Sequence, residues 1–377
     1  MRSLYARRMY HWETQLTSLD NNRVVRPLEW GIEWTRAWPC GNGFLASETP
    51  AECEQYLQAY NLRAICSSDQ FFAYRTPSDF HLETRPVEVF STREVPDRKL
   101  ERKVLGTCAE FLRFSSPVRT PYAENNVVNA RWFPAQGKSA LVLVPHWNAD
   151  AVAYTALCRI LNRLGISVLR LSMPYHDIRR PTEIQRADYA VSANLGRTLD
   201  AARQGVVDIR SCFDWLEARG YQHLGIVGTS LGSCYAFLTA AHDRRIQVAA
   251  FNHASTYFAD VVWHGQSTRH IRQGLEPSID LERLRGLWAA ISPMSYFDQF
   301  ARFARKSLIV YAKYDLTFLP EFSRQVVSEF KRRGFDHQVA VLPCGHYSTG
   351  EAPYKFLDGW YLASFLGKSF KGLAAGK

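Results

Sequence analysis

Strand-like and helix-like segments alternate along the chain from about residue 107 onwards, and this alternation limits the possible folds more than any other feature. Strands are predicted from runs of β-branched and apolar residues, and helices from apolar residues that recur every three or four positions. The pattern predicts an α/β fold with a mostly parallel central sheet flanked by helices on both faces. The predicted strands cover residues 111–116, 126–133, 140–145, 166–173, 224–227, 246–251, 308–312 and 339–342.

The remaining segments suggest how the chain is organised around this sheet. Residues 107–377 are interpreted as one domain, and residues 256–306 interrupt the alternation as a lid-like insertion. Residues 1–106 do not alternate and are interpreted as an N-terminal extension. Its aromatic residues would expose apolar surface if it were a free module, so we expect it to pack on the core. Four of its residues are tryptophans: Trp12, Trp30, Trp34 and Trp38.

Composition excludes several classes of protein. The net charge is +10, but no long basic block or zinc-finger spacing accompanies it, so nucleic-acid binding is not expected. No apolar run approaches the roughly 18 residues of a membrane span. The first arginines are not followed by the apolar core of a signal peptide, which favours a cytoplasmic location. The eight cysteines are scattered, which predicts free thiols and neither a metal site nor a cofactor. The oligomeric state stays open.

A G-x-S-x-G motif lies where a predicted strand turns directly into a predicted helix. It reads Gly228-Thr229-Ser230-Leu231-Gly232, and the strand before it ends at Val227. In such a tight turn the serine adopts a strained backbone conformation, and its neighbours must be small. The motif therefore predicts that Ser230 is an exposed nucleophile at the carboxyl edge of the sheet.

With this motif in its strand-turn-helix context, residues 107–367 resemble the α/β-hydrolase superfamily. The resemblance implies the α/β-hydrolase fold and a triad in the order nucleophile, acid, histidine, each after a strand. Asp315 follows the strand in "LIVYAKYD", and His346 follows the strand in "VAVLPCGHYSTG". By position these match the acid and the base of the superfamily. His346 would then take the proton of Ser230, while Asp315 fixes its tautomer.

The resemblance also implies an oxyanion hole made by two backbone amides. One is expected from Leu231, directly after the nucleophile, and the other from the loop after the strand "LVLVP". Many relatives have His-Gly in this loop, whereas this chain has His146-Trp147-Asn148. The second donor is placed at Trp147 or Asn148. His146 is expected to shape the loop through a hydrogen bond and is counted among the substrate-binding candidates.

Two further segments are expected to contact the substrate. Arg179, in the loop 174–189, could bind a carboxylate or phosphate, although a solvated charged loop is the alternative. The insertion 256–306 supplies Trp263 and Trp288, and its apolar residues predict one face of a short helix. This helix either roofs an apolar pocket and limits the length of the acyl chain, or simply packs on the core. Its apolar face consists of Leu281, Leu284, Leu287 and Trp288.

The sequence thus predicts a metal-independent serine hydrolase that cleaves a small carboxylic ester. A peptidase, a thioesterase or an acyltransferase would use the same triad. A non-catalytic binding protein that retains the fold is the alternative from another class, and the unusual His146-Trp147-Asn148 loop favours it. The other histidines, including His176 and His253, lie elsewhere in the pattern and receive no role.

Overall fold

The computed structural model describes residues 4–19, 23–35, 38, 49–92 and 105–376. Within these ranges nine strands form one sheet. They are β1 (His81–Pro86), β2 (Cys108–Ser115), β3 (Val127–Phe133), β4 (Ser139–Val144), β5 (Ile166–Ser172), β6 (His223–Thr229), β7 (Ile246–Asn252), β8 (Lys306–Ala312) and β9 (His337–Leu342).

Twelve α-helices flank the sheet in the same ranges. They are α1 (Leu4–Ser18), α2 (Pro50–Cys66), α3 (Ser68–Phe71), α4 (Thr155–Arg163), α5 (Leu195–Ala218), α6 (Leu231–His242), α7 (Phe258–His264), α8 (Arg269–Leu275), α9 (Leu281–Leu287), α10 (Phe297–Ala301), α11 (Pro320–Arg332) and α12 (Tyr354–Ala374). None of these helices is both long and apolar enough to cross a bilayer.

The strands are ordered β1-β2-β3-β5-β4-β6-β7-β8-β9 across the sheet. The pairs β1–β2, β2–β3 and β3–β5 are antiparallel, and all pairs from β5 to β9 are parallel. The predicted mostly parallel sheet flanked by helices is therefore confirmed. Its parallel part brings the carboxyl ends of β4, β6, β7, β8 and β9 to one edge.

Both faces of the sheet are buried. Along β4, Ala140, Val142 and Val144 belong to one apolar cluster, while Leu141 and Leu143 belong to a second. Because successive side chains of a strand point to opposite faces, the two clusters lie on opposite sides of the sheet. Helices α5 and α6 contribute to the first cluster, and α4 and α12 contribute to the second. Because both faces of β4 are covered, its sequence is a continuous apolar run.

The described parts of residues 1–106 also contact both faces. Helix α1 adds Met9 to the second cluster, and α2 adds Tyr60 to the first. The indole nitrogen of Trp38 donates a hydrogen bond to Asp200, and β1 pairs with β2 at the edge of the sheet. These contacts join the segment to the core at several separate points. The boundary at residue 106 stays a prediction.

Helices α7 to α10 lie between β7 and β8, within the predicted insertion 256–306. The apolar face of α9 packs on the core, because Leu284, Leu287 and Trp288 are fully buried in the first cluster. The indole nitrogen of Trp288 donates to the carbonyl oxygen of Leu195. The alternative of simple core packing is therefore the correct one for α9, and the proposal that this face roofs a pocket is wrong.

Candidate active site

Four neighbouring parallel strands each end in a polar residue at the same edge of the sheet. Ser230 follows β6, His253 follows β7, Asp315 lies just beyond β8, and His346 lies beyond β9. Since β6, β7, β8 and β9 are adjacent in this order, their carboxyl ends bring these side chains together. Ligands of open parallel sheets bind at this edge.

The turn at Ser230 has the predicted strained geometry. Ser230 has a φ of 57°, in the left-handed region that side chains rarely adopt. A Cβ at Gly228 would lie 2.2 Å from the carbonyl oxygen of Gly232, and a Cβ at Gly232 would lie 2.3 Å from that of Pro145. Only glycine fits at these two positions. The close packing of strand and helix therefore holds the Ser230 side chain at the sheet edge.

A chain of hydrogen bonds joins the three residues of the predicted triad. The Nε2 atom of His346 is 3.1 Å from the Oγ atom of Ser230, and its Nδ1 atom is 2.9 Å from Oδ2 of Asp315. The other carboxylate oxygen, Oδ1, accepts 2.7 Å hydrogen bonds from the backbone amides of Thr317 and Phe318. Asp315 is thus fixed in orientation. The arrangement suits proton transfer from the serine hydroxyl to the imidazole.

The electrostatics of the site keep Asp315 ionised and make His346 a stronger base. Burial alone would raise the pKa of Asp315. The charge of His346 and the hydrogen bonds that Asp315 accepts from His253 and His346 outweigh burial and hold this pKa well below its usual range. Burial alone would lower the pKa of His346, but Asp315 outweighs it and raises this pKa above its ordinary value of 6.5. Opposite shifts of this kind are typical of an imidazolium stabilised by a carboxylate.

A second histidine, not predicted from the sequence, contacts the triad acid. The Nδ1 atom of His253 donates to Oδ2 of Asp315 at 2.9 Å, and its ring centroid lies 4.6 Å from that of His346. Burial and the neighbouring His346 lower the pKa of His253, so the ring is neutral. His253 therefore holds Asp315 without neutralising it. Its position directly after Asn252, the last residue of β7, was the available signal.

The backbone amides near Ser230 decide between the two oxyanion candidates. The amide of Asn148 donates to Nε2 of His176 at 3.0 Å, so it is already engaged. The amide of Trp147 has no acceptor within the described residues. The amide of Leu231 opens α6, where the first N–H groups of a helix have no intrahelical acceptor. The geometry thus favours Leu231 and Trp147 over Asn148.

The loop itself is held as expected at His146. Its Nδ1 atom is 2.7 Å from the hydroxyl of Tyr154, and its carbonyl oxygen accepts from the amide of Ala149. Burial lowers the pKa of His146 to about 3, so this imidazole stays neutral. The indole nitrogen of Trp147 donates to the carbonyl oxygen of Ala187. These contacts fix the position of the loop.

A cavity of about 1020 Å³ opens above Ser230 and His346. His146, Trp147 and Asn148 line it on one side. Its apolar walls come from helix α7 on one side of the sheet and from α4 and α12 on the other. The wall residues include Phe258, Val261, Leu157, Ile160, Phe356 and Trp360.

Three predicted substrate-binding residues lie elsewhere and must be corrected. Arg179 is completely buried and pairs with Asp208, with 2.7 Å between their nearest atoms. Trp288 is buried against the core because its helix packs there. Trp263 does not line the cavity, and its ring is covered by the guanidinium group of Arg272. Charge and aromaticity made these residues candidates, but only the fold determines which side chains face the cavity.

A carboxylate from the N-terminal helix α1 holds the loop that carries His346. One oxygen of Glu13 accepts from the amide of Tyr347 at 2.6 Å, and the other accepts from the amide and hydroxyl of Ser348 at 3.0 and 2.9 Å. Glu13 is fully buried, and burial raises its pKa against the opposing effect of these amides. Glu13 also contributes to the raised pKa of His346.

We expect Glu13→Gln to lower kcat by about 10-fold and to move the pH midpoint of activity downwards. The glutamine side chain keeps one acceptor oxygen, but its N–H₂ group takes the place of the other oxygen and faces N–H or O–H donors of the His346 loop. The negative charge that raises the pKa of His346 is also lost. The pH profiles of kcat/KM for the wild type and the variant measure both effects. Thr14→Ala, on the exposed side of the same helix, is the control. An unchanged pH midpoint would show that Glu13 has only a structural role.

The site also contains a group of side chains that could hold a metal ion. Among the described residues, His253, Asp315 and His346 form the one cluster of three such side chains, with ligand atoms within 4.8 Å of one another. In both histidines the Nδ1 atom donates a hydrogen bond to Asp315. A metal bound there would have to replace these hydrogen bonds. The donor set therefore fits a triad acid better than a resident metal.

The comparisons with known proteins agree with the fold. Residues 155–285 match the family model described as alpha/beta hydrolase domain containing 18. Acetyl xylan esterase 1 from Thermoanaerobacterium sp. JW/SL YS485 is similar in structure, with a TM-score of 0.54, 14% identity and coverage of 89% of this chain and 98% of the esterase. No curated protein matches the sequence significantly.

A larger enzyme shares the fold over part of its length. The acylaminoacyl peptidase of Pyrococcus horikoshii has a TM-score of 0.53 and 11% identity, with coverage of 69% of this chain. The chain spans only 41% of the length of that peptidase. At such identities the likeness concerns the fold alone. These structures support the α/β-hydrolase fold, and the family model matches residues 155–285 of this chain.

Proposed function

We propose that this chain is a serine hydrolase that cleaves a carboxylic ester through an acyl-enzyme. One observation carries the proposal: Ser230, His346 and Asp315 form a continuous chain of hydrogen bonds below an apolar cavity. Leu231 and Trp147 line the same cavity, and their backbone amides have no protein acceptor among the described residues, so they are available to bind an oxyanion. These are the parts that acyl transfer requires.

In this mechanism Ser230 attacks the ester carbonyl carbon while Nε2 of His346 accepts the hydroxyl proton. The amides of Leu231 and Trp147 stabilise the negative charge on the carbonyl oxygen. His346 then gives its proton to the departing alcohol, leaving the acyl group on Ser230. A water molecule, deprotonated by His346, attacks the acyl-enzyme, and His346 returns this proton to Oγ of Ser230 as the acid is released. Asp315 stabilises the imidazolium that forms in both halves of the reaction.

The loop His146-Trp147-Asn148 no longer favours a non-catalytic protein. Its bulky Trp147 side chain is anchored to Ala187, and the amide of Trp147 has no acceptor in the described part of the chain. The loop can therefore supply an oxyanion donor without a glycine. The idea that Trp288 limits acyl length loses its basis, because this side chain lies in the core. The cytoplasmic location stays a prediction.

Purified protein is expected to hydrolyse p-nitrophenyl acetate and butyrate and to react with a fluorophosphonate probe. The exposed, base-activated hydroxyl accounts for both reactions. Matched thioesters and peptide p-nitroanilides, assayed at the same concentrations, separate an esterase from a thioesterase or peptidase. Acyltransfer to added alcohols, measured in the same assay, tests for an acyltransferase. Absence of both turnover and labelling in folded protein would favour the non-catalytic alternative.

A further inference from the structure

The cavity contains a carboxyl group that the proposed mechanism does not use. Asp358, on helix α12, lines the cavity, although its side chain is almost entirely enclosed, with 9% of the residue exposed. No salt bridge pairs it with a cation within the described residues. Burial raises the pKa of Asp358 to about 7, and only the hydrogen bond from Asn252 opposes this shift. An isolated carboxyl in an apolar wall is costly for the fold.

Asp358 is connected to the nucleophile through a single residue. The amide of Ser230 donates to the backbone carbonyl oxygen of Asn252 at 2.8 Å. The side-chain amide of Asn252 donates to both oxygens of Asp358, at 3.0 and 3.1 Å. Because Asn252 pairs with Thr229 in the sheet, this carboxyl lies beside the elbow on the α12 side.

The two side chains leave several hydrogen-bond acceptors unused. Oδ1 of Asn252 is buried and has no partner in the described part of the chain. Each oxygen of Asp358 accepts one hydrogen bond from Asn252, whereas a carboxylate can accept about four in all. Buried acceptors without donors are uncommon in native proteins. Both residues line the cavity, so a molecule bound there could supply the missing donors.

We propose that Asp358 and Asn252 form a subsite that binds a hydrogen-bond donor of the substrate, a hydroxyl or a protonated amine close to the ester. This inference deepens the proposed function and rests on it. A carboxylate accepts strongly from either group. The apolar walls around it would bind the rest of the substrate. The subsite thus distinguishes polar esters from purely apolar esters of the same length.

Three butyrate esters of similar length test the subsite at pH 8: 3-hydroxypropyl, 3-(dimethylamino)propyl and 3-methylbutyl butyrate. We expect Asp358→Asn to lower kcat/KM at least 10-fold for the hydroxyl ester, the amine ester or both, because a hydrogen bond to a charged acceptor is lost. The 3-methylbutyl ester should change less than 2-fold. The polar ester that loses more identifies the donor.

Glu351→Gln is the matched control, because Glu351 also lines the cavity but is exposed at its mouth. This substitution also removes one negative charge and should leave kcat/KM for all three esters unchanged. If Asp358→Asn does not fold, Asn252→Ser removes the unused acceptor and keeps a hydroxyl that can donate to Asp358. Equal losses of kcat/KM for the three esters, or no loss in the variant that folds, would contradict the proposed subsite.

A binding measurement separates failure of the subsite from failure of the proposed function. Ligand-observed NMR with 1,3-propanediol and 3-(dimethylamino)propan-1-ol requires no turnover and can use Ser230→Ala. We expect at least one of these alcohols to bind the wild type and Ser230→Ala, and to bind Asp358→Asn much more weakly. Equal binding to all three proteins, or no binding to any, would exclude the subsite even if esters are hydrolysed. Selective binding without turnover would support the subsite and exclude the esterase.

Discussion

Ser230→Ala is expected to lower kcat for ester hydrolysis by on the order of 10⁴-fold or more and to abolish fluorophosphonate labelling. The variant keeps the cavity and the oxyanion amides but has no hydroxyl for His346 to activate. Alanine adopts the strained backbone at this position as readily as serine does, so we expect the fold to persist. Rates with p-nitrophenyl butyrate and mass mapping of the adduct measure the two effects.

Ser267→Ala provides the matched control for the nucleophile. Ser267 is a second buried serine that lines the same cavity, but it lies in the insertion and not at the elbow. Its removal should leave labelling and turnover close to those of the wild type. Labelling that survives in Ser230→Ala, or an adduct that maps to Ser233 on α6, would show that the nucleophile is a different serine.

The sequence predicts the sheet well because strand and turn signals are local. The apolar run of β4 and the small residues around Ser230 directly reflect burial and strain at those positions. The places of Asp315 and His346 follow from the same rule, since each comes after a strand at the carboxyl edge. That rule also applied to His253, whose position directly after β7 is equally regular. The sequence interpretation nevertheless placed His253 outside the pattern, because the triad order requires one histidine, after the acid.

Other parts of the site depend on contacts that no local pattern contains. Glu13 is 334 residues away in sequence from Tyr347, whose amide it accepts from. In the sequence Arg179 looks like a solvated charge, but in the fold it pairs with Asp208 and donates to the carbonyl oxygens of Asn125 and Ser172, which accounts for its complete burial. The choice between the amides of Trp147 and Asn148 depends on the position of His176. Such outcomes follow from the packing of distant segments and require coordinates.

The second large effect is expected for Asp315→Asn, which should lower kcat/KM by on the order of 10³- to 10⁴-fold. Oδ1 of the side chain would stay with the backbone amides of Thr317 and Phe318, so the new N–H₂ group would face His253 and His346. His346 could then accept at Nδ1 and would carry its proton on Nε2. In that tautomer it cannot take the proton of Ser230.

The pH profile adds an independent test of the same residue. In the wild type, activity should fall as the pH is lowered, because protonated His346 is not a base, and the midpoint should lie above the ordinary value of about 6.5. Asp315 is the main cause of that raised pKa, so the residual activity of Asp315→Asn should have a lower midpoint. Asp298→Asn, at an exposed carboxylate, is the control.

The outcome that would reassign the triad acid is equally specific. Glu13 and Asp358 are the other buried carboxyl groups described near His346 and the cavity, and each has a different expected signature. Glu13→Gln should lose about 10-fold, and Asp358→Asn should spare apolar esters. Full activity in Asp315→Asn, together with loss of all activity in either of these variants, would mean that His346 is oriented by another carboxylate. The short contacts of Asp315 with both His253 and His346 lead us to expect the reverse.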